Sequence, residues 1–368
     1  MKKIVVCGGH LTPALALIEE FNQSKGIKIL FFGRKYATEG SKSLSAEYRV
    51  ITEKKIKFYS ISTGRLQRKF TKYTLPSLLK IPSGFLQVFV LLIVERPSLI
   101  VSFGGYLSLP IVFCGWLLGI DSVSHEQSSV PGLATKINSV FVKRLFLSWP
   151  ATYDFFQKDK SEVIGNLIRQ SIFKTTPRCL AIRNFLSGNK KLIFVTGGNQ
   201  GSHFLNGLIF NSLDLLKNFS ILHQVGTLNF KGDLDFAKKI SKNNYLAVGY
   251  IQSVDLGAVF NKASVVICRS GANTCWELAT LAKPAILIPL PIAASREQEQ
   301  NARILEKAGS GVILKQKSLN PKILKTTLGN INKDYSEYQN AARRFGKTLP
   351  KDASKKMANY IRRLLAAR

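Results

Sequence analysis

The sequence predicts an α/β protein built from two doubly wound parallel-sheet domains. Short apolar runs of strand length alternate with helical segments along the chain. Several of those runs end in a glycine turn that leads directly into a helix, the connection of a βαβ unit. Finally, KKLIFVTGGNQGSHFLNGLI, from Lys190, repeats the pattern of KKIVVCGGHLTPALALI, from Lys2: two lysines, a strand, a glycine turn and a helix.

Taken in order, Lys2–Cys7 reads as a strand, Gly8-Gly9-His10 as a turn and Pro13–Phe21 as a helix. Lys28–Phe32 and Ile56–Ser62 are further strands. Leu78–Val94 is an apolar, helical stretch. Leu99–Ser102, the loop FGGYLSLP and the helix after Pro110 form a second strand–glycine–helix unit. Asp121–Glu126 and Lys143–Ser148 are strands, and the segment to Gly165-Asn166 closes the first half. After the restart at Lys190, strands are expected at Ile221–Val225, Tyr245–Val248, Ser264–Cys268 and Ala285–Pro289. A basic helix after Pro350 carries Met357, Tyr360, Ile361, Leu364 and Leu365 at near-helical spacing.

Composition narrows the function. The chain has 368 residues, room for two ordinary domains, and 45% hydrophobic content excludes a disordered protein. Lys and Arg outnumber Asp and Glu by 53 to 22, a net charge of +31. That excess implies an anionic partner surface, lipid or nucleic acid. No nucleic-acid module is recognisable, so nucleic acid is not expected. Five scattered cysteines without a C-x-x-C pair suggest neither disulfides nor zinc and fit a reducing compartment. Gly8-Gly9-His10 and Glu19-Glu20 interrupt what would otherwise resemble a secretory signal. The uncharged stretch Pro97–Ile120 is divided by Gly104-Gly105, Ser108 and Pro110, which argues against a membrane span. Between Lys54 and Lys80 lie eight Lys/Arg and no acid. With the apolar helix that follows, this is either a membrane-surface patch or a core helix beside a solvated basic loop.

The most informative stretch is Ser264–Ala302. A strand, the turn Arg269-Ser270-Gly271-Ala272 and a helix from about Asn273 place free backbone N–H groups where an anion could bind. Glu277, one turn in, could accept from a ribose diol. Thr274-x-x-Glu277 is equally a capping box, which would close the helix start without a ligand.

Taken together, GGH, FGGY, HEQ, GGNQGS, CRSGA and the loop carrying Gln298 and Asn301 resemble the MurG family in nearly the whole chain and in order. That family adds N-acetylglucosamine to undecaprenyl-linked lipid I to give lipid II. The resemblance implies a GT-B fold, two Rossmann-like domains with an inter-domain cleft. The implied acceptor and membrane domain spans 1–166 and the UDP-sugar domain 167–350, with helix 351–368 packing back on the first. It further implies donor contacts from Arg169, Asn199, Gln200, Gly201, the backbone of Ile251, Ser270, Gly271, Ala272, Glu277 and Gln298. Acceptor contacts would come from Gly8, Gly9, Gly104, Gly105, Tyr106, Gln127 and Ser128.

Several positions depart from the family pattern. Asn199 replaces a serine, Gln252-Ser253 an acidic pair and Ser128 an asparagine, the proline of the Arg169 motif is either replaced by Leu167 or missing, and the first glycine loop is shortened ahead of Gly8. The implied partners are UDP-N-acetylglucosamine, lipid I, an anionic membrane surface and cell-wall synthesis proteins, at the cytoplasmic face of the bacterial cell membrane. No cofactor beyond the co-substrate is implied.

For the chemistry, His10 is the candidate base, since a neutral imidazole accepts a proton near pH 7. Glu126 is the second candidate, or the partner that orients His10. Arg169, the amides of Gly197–Gly201 and the helix start after Ala272 would stabilise the leaving diphosphate. Asp233-Leu234-Asp235 spells the metal-binding D-x-D but opens a helix, so it reads as helix-start acids, and no metal site is expected. Rival readings are another GT-B UDP-sugar enzyme, a UDP-N-acetylglucosamine epimerase, a non-catalytic nucleotide- or membrane-binding descendant and a basic nucleic-acid binder.

Overall fold

The apolar runs of the first half pair, all in parallel, into one sheet. The structure is a computed structural model and describes residues 1–22, 24, 26–36, 44–64, 74–291 and 296–367, with the backbone alone for 74–78. The strands are β1 (Lys2–Cys7), β2 (Ile27–Gly33), β3 (Lys57–Ser60), β4 (Leu99–Ser102), β5 (Ser122–Glu126), β6 (Arg144–Leu147) and β7 (Ser161–Val163). Their order is β3-β2-β1-β4-β5-β6-β7, so the winding reverses between β1 and β4. Helices α1 (Leu11–Phe21), α2 (Ala46–Glu53), α3 (Thr74–Glu95), α4 (Ser108–Leu117) and α5 (Leu133–Phe141) connect them.

Alternate residues of each strand face opposite sides, and helices cover both. Ile4, Val6 and Val101 pack with α1 on one face, whereas Val5, Ile100 and Leu145 pack with α3 and α4 on the other. Burial on both sides explains why these strands read as unbroken apolar runs.

The second half repeats the construction. Helix α6 (Leu180–Leu186) leads into β8 (Leu192–Thr196), α7 (His203–Phe210), β9 (Ser220–Gln224), α8 (Asp233–Lys239) and β10 (Tyr245–Val248). There follow α9 (Ser253–Lys262), β11 (Ala263–Cys268), α10 (Ala272–Thr280), β12 (Ala285–Leu287), α11 (Glu297–Lys307) and β13 (Gly311–Ile313). Helices α12 (Pro321–Lys333), α13 (Tyr335–Thr348) and α14 (Ala353–Ala366) complete the chain. The strand order is β10-β9-β8-β11-β12-β13, with its reversal between β8 and β11.

The chain divides into two compact units, Met1–Arg169 with Asp352–Arg368, and Gln170–Lys351. Helix α14 belongs to the first unit. Its Met357, Ile361 and Leu365 are buried in the core that includes α1, and Arg362 donates to the carbonyl of Glu20 at 2.6 Å. The division falls after Arg169, whereas the sequence reading put the boundary after Asn166.

Four local readings are corrected. Helix α1 begins at Leu11, with Pro13 still inside its first turn where a missing N–H costs no helical bond. Helix α2 escaped notice, although Ser45 caps it by accepting from the Tyr48 amide at 3.0 Å. Strands β7 and β13 also escaped, being three residues each and too short to show a period. The capping box on α10 does not form. The N-cap is Gly271, no side chain caps it, and Thr274 already lies within the helix.

An ion cluster around the buried Glu95 carboxylate fixes the end of α3. Glu95 bonds Lys3 and Lys57, each at 2.9 Å, and Tyr59. Lys57 first, then Tyr59 and Lys3, hold its carboxyl down at about 2.

Candidate functional site

In the first unit the loops after β1, β4 and β5 stand side by side at the carboxyl edge of the sheet, the usual place for a ligand in an open α/β sheet. The first two interlock by backbone. The Gly9 amide donates to the Gly104 carbonyl at 3.0 Å. Gly8 has φ +130, and a Cβ there would stand 2.7 Å from the Phe103 carbonyl carbon. A side chain would wedge the two loops apart, so the glycine is required by both conformation and space.

That approach sets His10 beside the third loop. His10 Nδ1 lies 2.6 Å from Gln127 Nε2. In this orientation Gln127 Oε1 is buried with no hydrogen-bond partner. With the amide N–H donating, a neutral ring carries its proton on Nε2. With the amide turned over, Nδ1–H donates to Oε1 and Nε2 becomes the basic nitrogen. Only the second arrangement offers Nε2 as a base.

Glu126 is engaged elsewhere. Its oxygens accept from the amides of Ser128 at 3.0 Å and Gly132 at 3.1 Å, which shapes the loop after β5. The structure therefore brings Gln127, and not Glu126, to the imidazole. Ser128 is buried. Tyr106, Gly9, Leu107 and Arg34 line a small cavity of about 160 Å³. His125 is buried, bonds the Gly165 carbonyl at 3.2 Å and is lowered to about 4, chiefly by burial, so it is neutral near pH 7. Arg169 is buried in the same unit, apart from the other expected donor residues in sequence and in assignment to a unit.

In the second unit the glycine loop after β8 packs against the end of β9. Gly201 has φ +85, and a Cβ there would meet the Val225 carbonyl oxygen at 2.0 Å. The Asn199 carbonyl accepts from the Thr227 amide at 3.1 Å, while the side chains of Asn199 and Gln200 are exposed. A cleft of about 410 Å³ joins Gly197, Gln200 and Gly201 to Arg269 and Gln298. Gln298 Oε1 accepts from the Leu290 amide at 2.9 Å, which ties α11 to the end of the β12 connection.

The residues after β11 lead into the next helix. Gly271 and Ala272 start α10, Ser270 is fully buried, and Glu277 is 5% exposed one turn in. Ile251, Ser270, Gly271, Ala272, Glu277 and Asn199 do not line the 410 Å³ cleft, which takes only Gln200, Gly201 and Gln298 of the expected donor residues.

Gln224 escaped the sequence reading. Its amide donates to Thr196 Oγ1 at 3.2 Å and to the Gly198 carbonyl at 3.1 Å, and its oxygen accepts from the Ile251 amide at 3.1 Å. It thereby joins the glycine loop to Ile251 and occupies that residue's N–H. Arg269 likewise braces the loop, donating to Ser202 Oγ at 2.8 Å and to the Ile288 carbonyl at 3.0 Å. Its position in the signature turn was the available signal; Gln224, at a strand end, offered none.

The D-x-D does not converge on one point. Asp233 is buried against His203 and Asn206, and Asp235 bonds Asn229. Among the described residues no group of His, Cys, Asp and Glu could hold a metal ion.

Known proteins resemble this chain along its length. The glycosyltransferase family 28 N-terminal domain matches residues 6–147 and the C-terminal domain of the same family matches 192–358. A UDP-N-acetylglucosamine–N-acetylmuramyl-(pentapeptide) pyrophosphoryl-undecaprenol N-acetylglucosamine transferase of Clostridium kluyveri is 32% identical over 368 residues, 98% of this chain and 99% of the relative. The protein of the same name from Treponema denticola is 32% identical, covering 86% and 83%. Acinetobacter baumannii MurG superimposes with a TM-score of 0.71 at 21% identity, over 99% of this chain and all of that one. The UDP complex of Staphylococcus aureus MnaA follows at 0.69 and 15% identity, over 100% and 97%, a likeness of fold.

Proposed function

The chain belongs to the MurG family of glycosyltransferase family 28, and from that membership we propose how its two units share one reaction. The enzyme moves N-acetylglucosamine from UDP-N-acetylglucosamine to the muramoyl 4-hydroxyl of lipid I, giving lipid II for peptidoglycan, with inversion at the anomeric carbon.

Met1–Arg169 with α14 is read as the acceptor unit and Gln170–Lys351 as the donor unit. The observation that carries the donor reading is the reversal between β8 and β11, neighbouring strands that lead into the glycine loop and into the start of α10, which no side chain caps and which has Glu277 one turn in. The amides of a helix start suit a diphosphate, and a buried carboxylate suits a ribose diol. Gln298 takes the sugar hydroxyls and the Ile251 carbonyl takes the base. In the acceptor unit, His10 removes the proton of the attacking hydroxyl once Gln127 Oε1 holds Nδ1–H. Gly8, Gly9, Gly104, Gly105, Tyr106 and Ser128 form the acceptor surface, and Arg169 assists the leaving diphosphate. Glu126 supports the loop that carries Gln127.

The acceptor's lipid tail requires a membrane, and the first unit has a face suited to one. Helix α3 packs on α4 and α4 on α5. All three leave large apolar side chains exposed, among them Leu86, Val90, Val94, Trp116, Leu133 and Val140. Lys80 and Lys136 are exposed on the same helices. Such a face rests on anionic head groups as a peripheral contact at the cytoplasmic side. Among the described residues no helix is long and apolar enough to cross a membrane. The most basic part of the Lys54–Lys80 stretch, residues 65–73, lies outside the described residues.

The test follows label from UDP-N-acetylglucosamine into a lipid I analogue in wild type, His10→Ala and Glu277→Ala. Transfer in wild type and sharp loss in both variants supports the assignment. Transfer surviving His10→Ala removes the base; transfer surviving Glu277→Ala with unchanged KM removes the ribose contact.

A further inference from the structure

The 410 Å³ cleft contains a side-chain pair that the donor reading leaves unused. His203, the first residue of α7, is 43% exposed and donates through Nδ1–H to Asp233 Oδ1 at 2.8 Å. Asp233 is itself held fast. Its second oxygen accepts from Asn206 Nδ2 at 2.7 Å, and Asn206 also contacts the Val225 carbonyl and His223, which bonds Tyr245. The imidazole meets the edge of Phe230 at 5.7 Å between centroids. A buried, braced carboxylate on Nδ1 and an aromatic ring beside it fix the orientation of the imidazole, which leaves Nε2 as the nitrogen available to a ligand.

The cleft's other walls are apolar at Phe204, Leu228 and Leu290 and polar at the glycine loop, Arg269 and Gln298. Gly197, Gln200 and Gly201 of the glycine loop share it, and Gly201 precedes His203 by only two positions. Arg269 adds positive charge, but its guanidinium already donates to Ser202, the Ile288 carbonyl and Gln316. With both ring nitrogens protonated, Nδ1–H is held by Asp233 and Nε2–H supplies a donor that the bracing of the loop has not used.

We propose that His203, oriented by Asp233, binds the terminal phosphate of the nucleoside diphosphate and stabilises it as it leaves. The proposal rests on the donor reading above. The acceptor oxygen bonds to the anomeric carbon while the bond from that carbon to the phosphate oxygen breaks. The electron pair stays on the departing diphosphate, and the acceptor's proton passes to the base. The imidazolium of His203 donates Nδ1–H to Asp233 and Nε2–H to the diphosphate and transfers neither proton.

Calorimetric titration of UDP and of uridine into wild type, His203→Gln and His203→Arg tests this. His203→Gln weakens UDP binding about fivefold, as expected for one charge-assisted hydrogen bond at a half-exposed site. Uridine binding stays unchanged, and His203→Arg restores most of the UDP affinity. Unchanged UDP affinity in His203→Gln overturns the proposal, as does an equal loss for uridine, which would mark a structural role. A wild-type protein that binds neither ligand overturns the donor reading instead, so the two failures are distinguishable. His203 is half-exposed, so both substitutions leave the core of the unit intact.

Discussion

Two glycines of one loop separate backbone conformation from packing. Gly198 and Gly201 both have φ +85, so alanine at either carries the same left-handed cost, about 1–2 kcal/mol. Their surroundings differ. A Cβ on Gly198 meets nothing within 4 Å, whereas one on Gly201 stands 2.0 Å from the Val225 carbonyl oxygen and 3.0 Å from Gly226 Cα. Both neighbours are backbone, so no side chain can rotate away, and loop and strand end must part by about 1 Å or more. Displacement on that scale at a substrate-positioning loop costs about 100-fold in kcat/KM. Gly198→Ala is therefore expected to lose less than about tenfold, and Gly201→Ala about 100-fold or more. Transfer from UDP-N-acetylglucosamine measures the activity, and urea unfolding checks that both variants fold. Equal activity in the two would refute the reasoning, because it would mean that the close approach of the loop to β9 does not position the donor.

Three further outcomes follow from the same structure. Gln224→Leu removes the bridge between Gly198 and Ile251, so KM for the donor rises about tenfold with kcat nearly unchanged; a pure kcat loss contradicts the assigned role. Glu95→Gln destabilises the first unit by about 1–3 kcal/mol above pH 4.5. The native carboxyl is depressed to about 2 from 4.5, so this contribution is complete above pH 4.5 and is lost as pH falls towards 2. Urea midpoints of wild type and variant should converge across that window, and a constant gap would speak against the ion cluster. Leu86→Glu, Val90→Glu and Val140→Glu together place charge on the exposed helical face, and vesicles rich in anionic lipid should then retain about tenfold less protein. Undiminished retention would move the membrane contact elsewhere.

The local devices of this protein are legible in its sequence. The bounds of Lys2–Cys7, Leu99–Ser102 and Tyr245–Val248 are legible to the residue, because helices cover much of both faces and leave the strands as apolar runs. The glycine turns were legible for a similar reason, since only glycine tolerates a left-handed backbone in close contact with another loop. The order of motifs identified the family from residues alone.

What the sequence could not express is which loops become neighbours. His10 and Gln127 stand 117 positions apart and meet because β1, β4 and β5 lie adjacent in the sheet. That juxtaposition gives His10 a partner other than Glu126 and makes the orientation of one amide decide which ring nitrogen is basic. In the second unit, strand order likewise sets Gln224 between the glycine loop and Ile251, and turns a decoy aspartate into the support of His203. Periodicity and turn chemistry act over a few residues, so the chain states them locally. Side-chain pairing across parallel strands depends on sheet order, and only the folded sheet decides it.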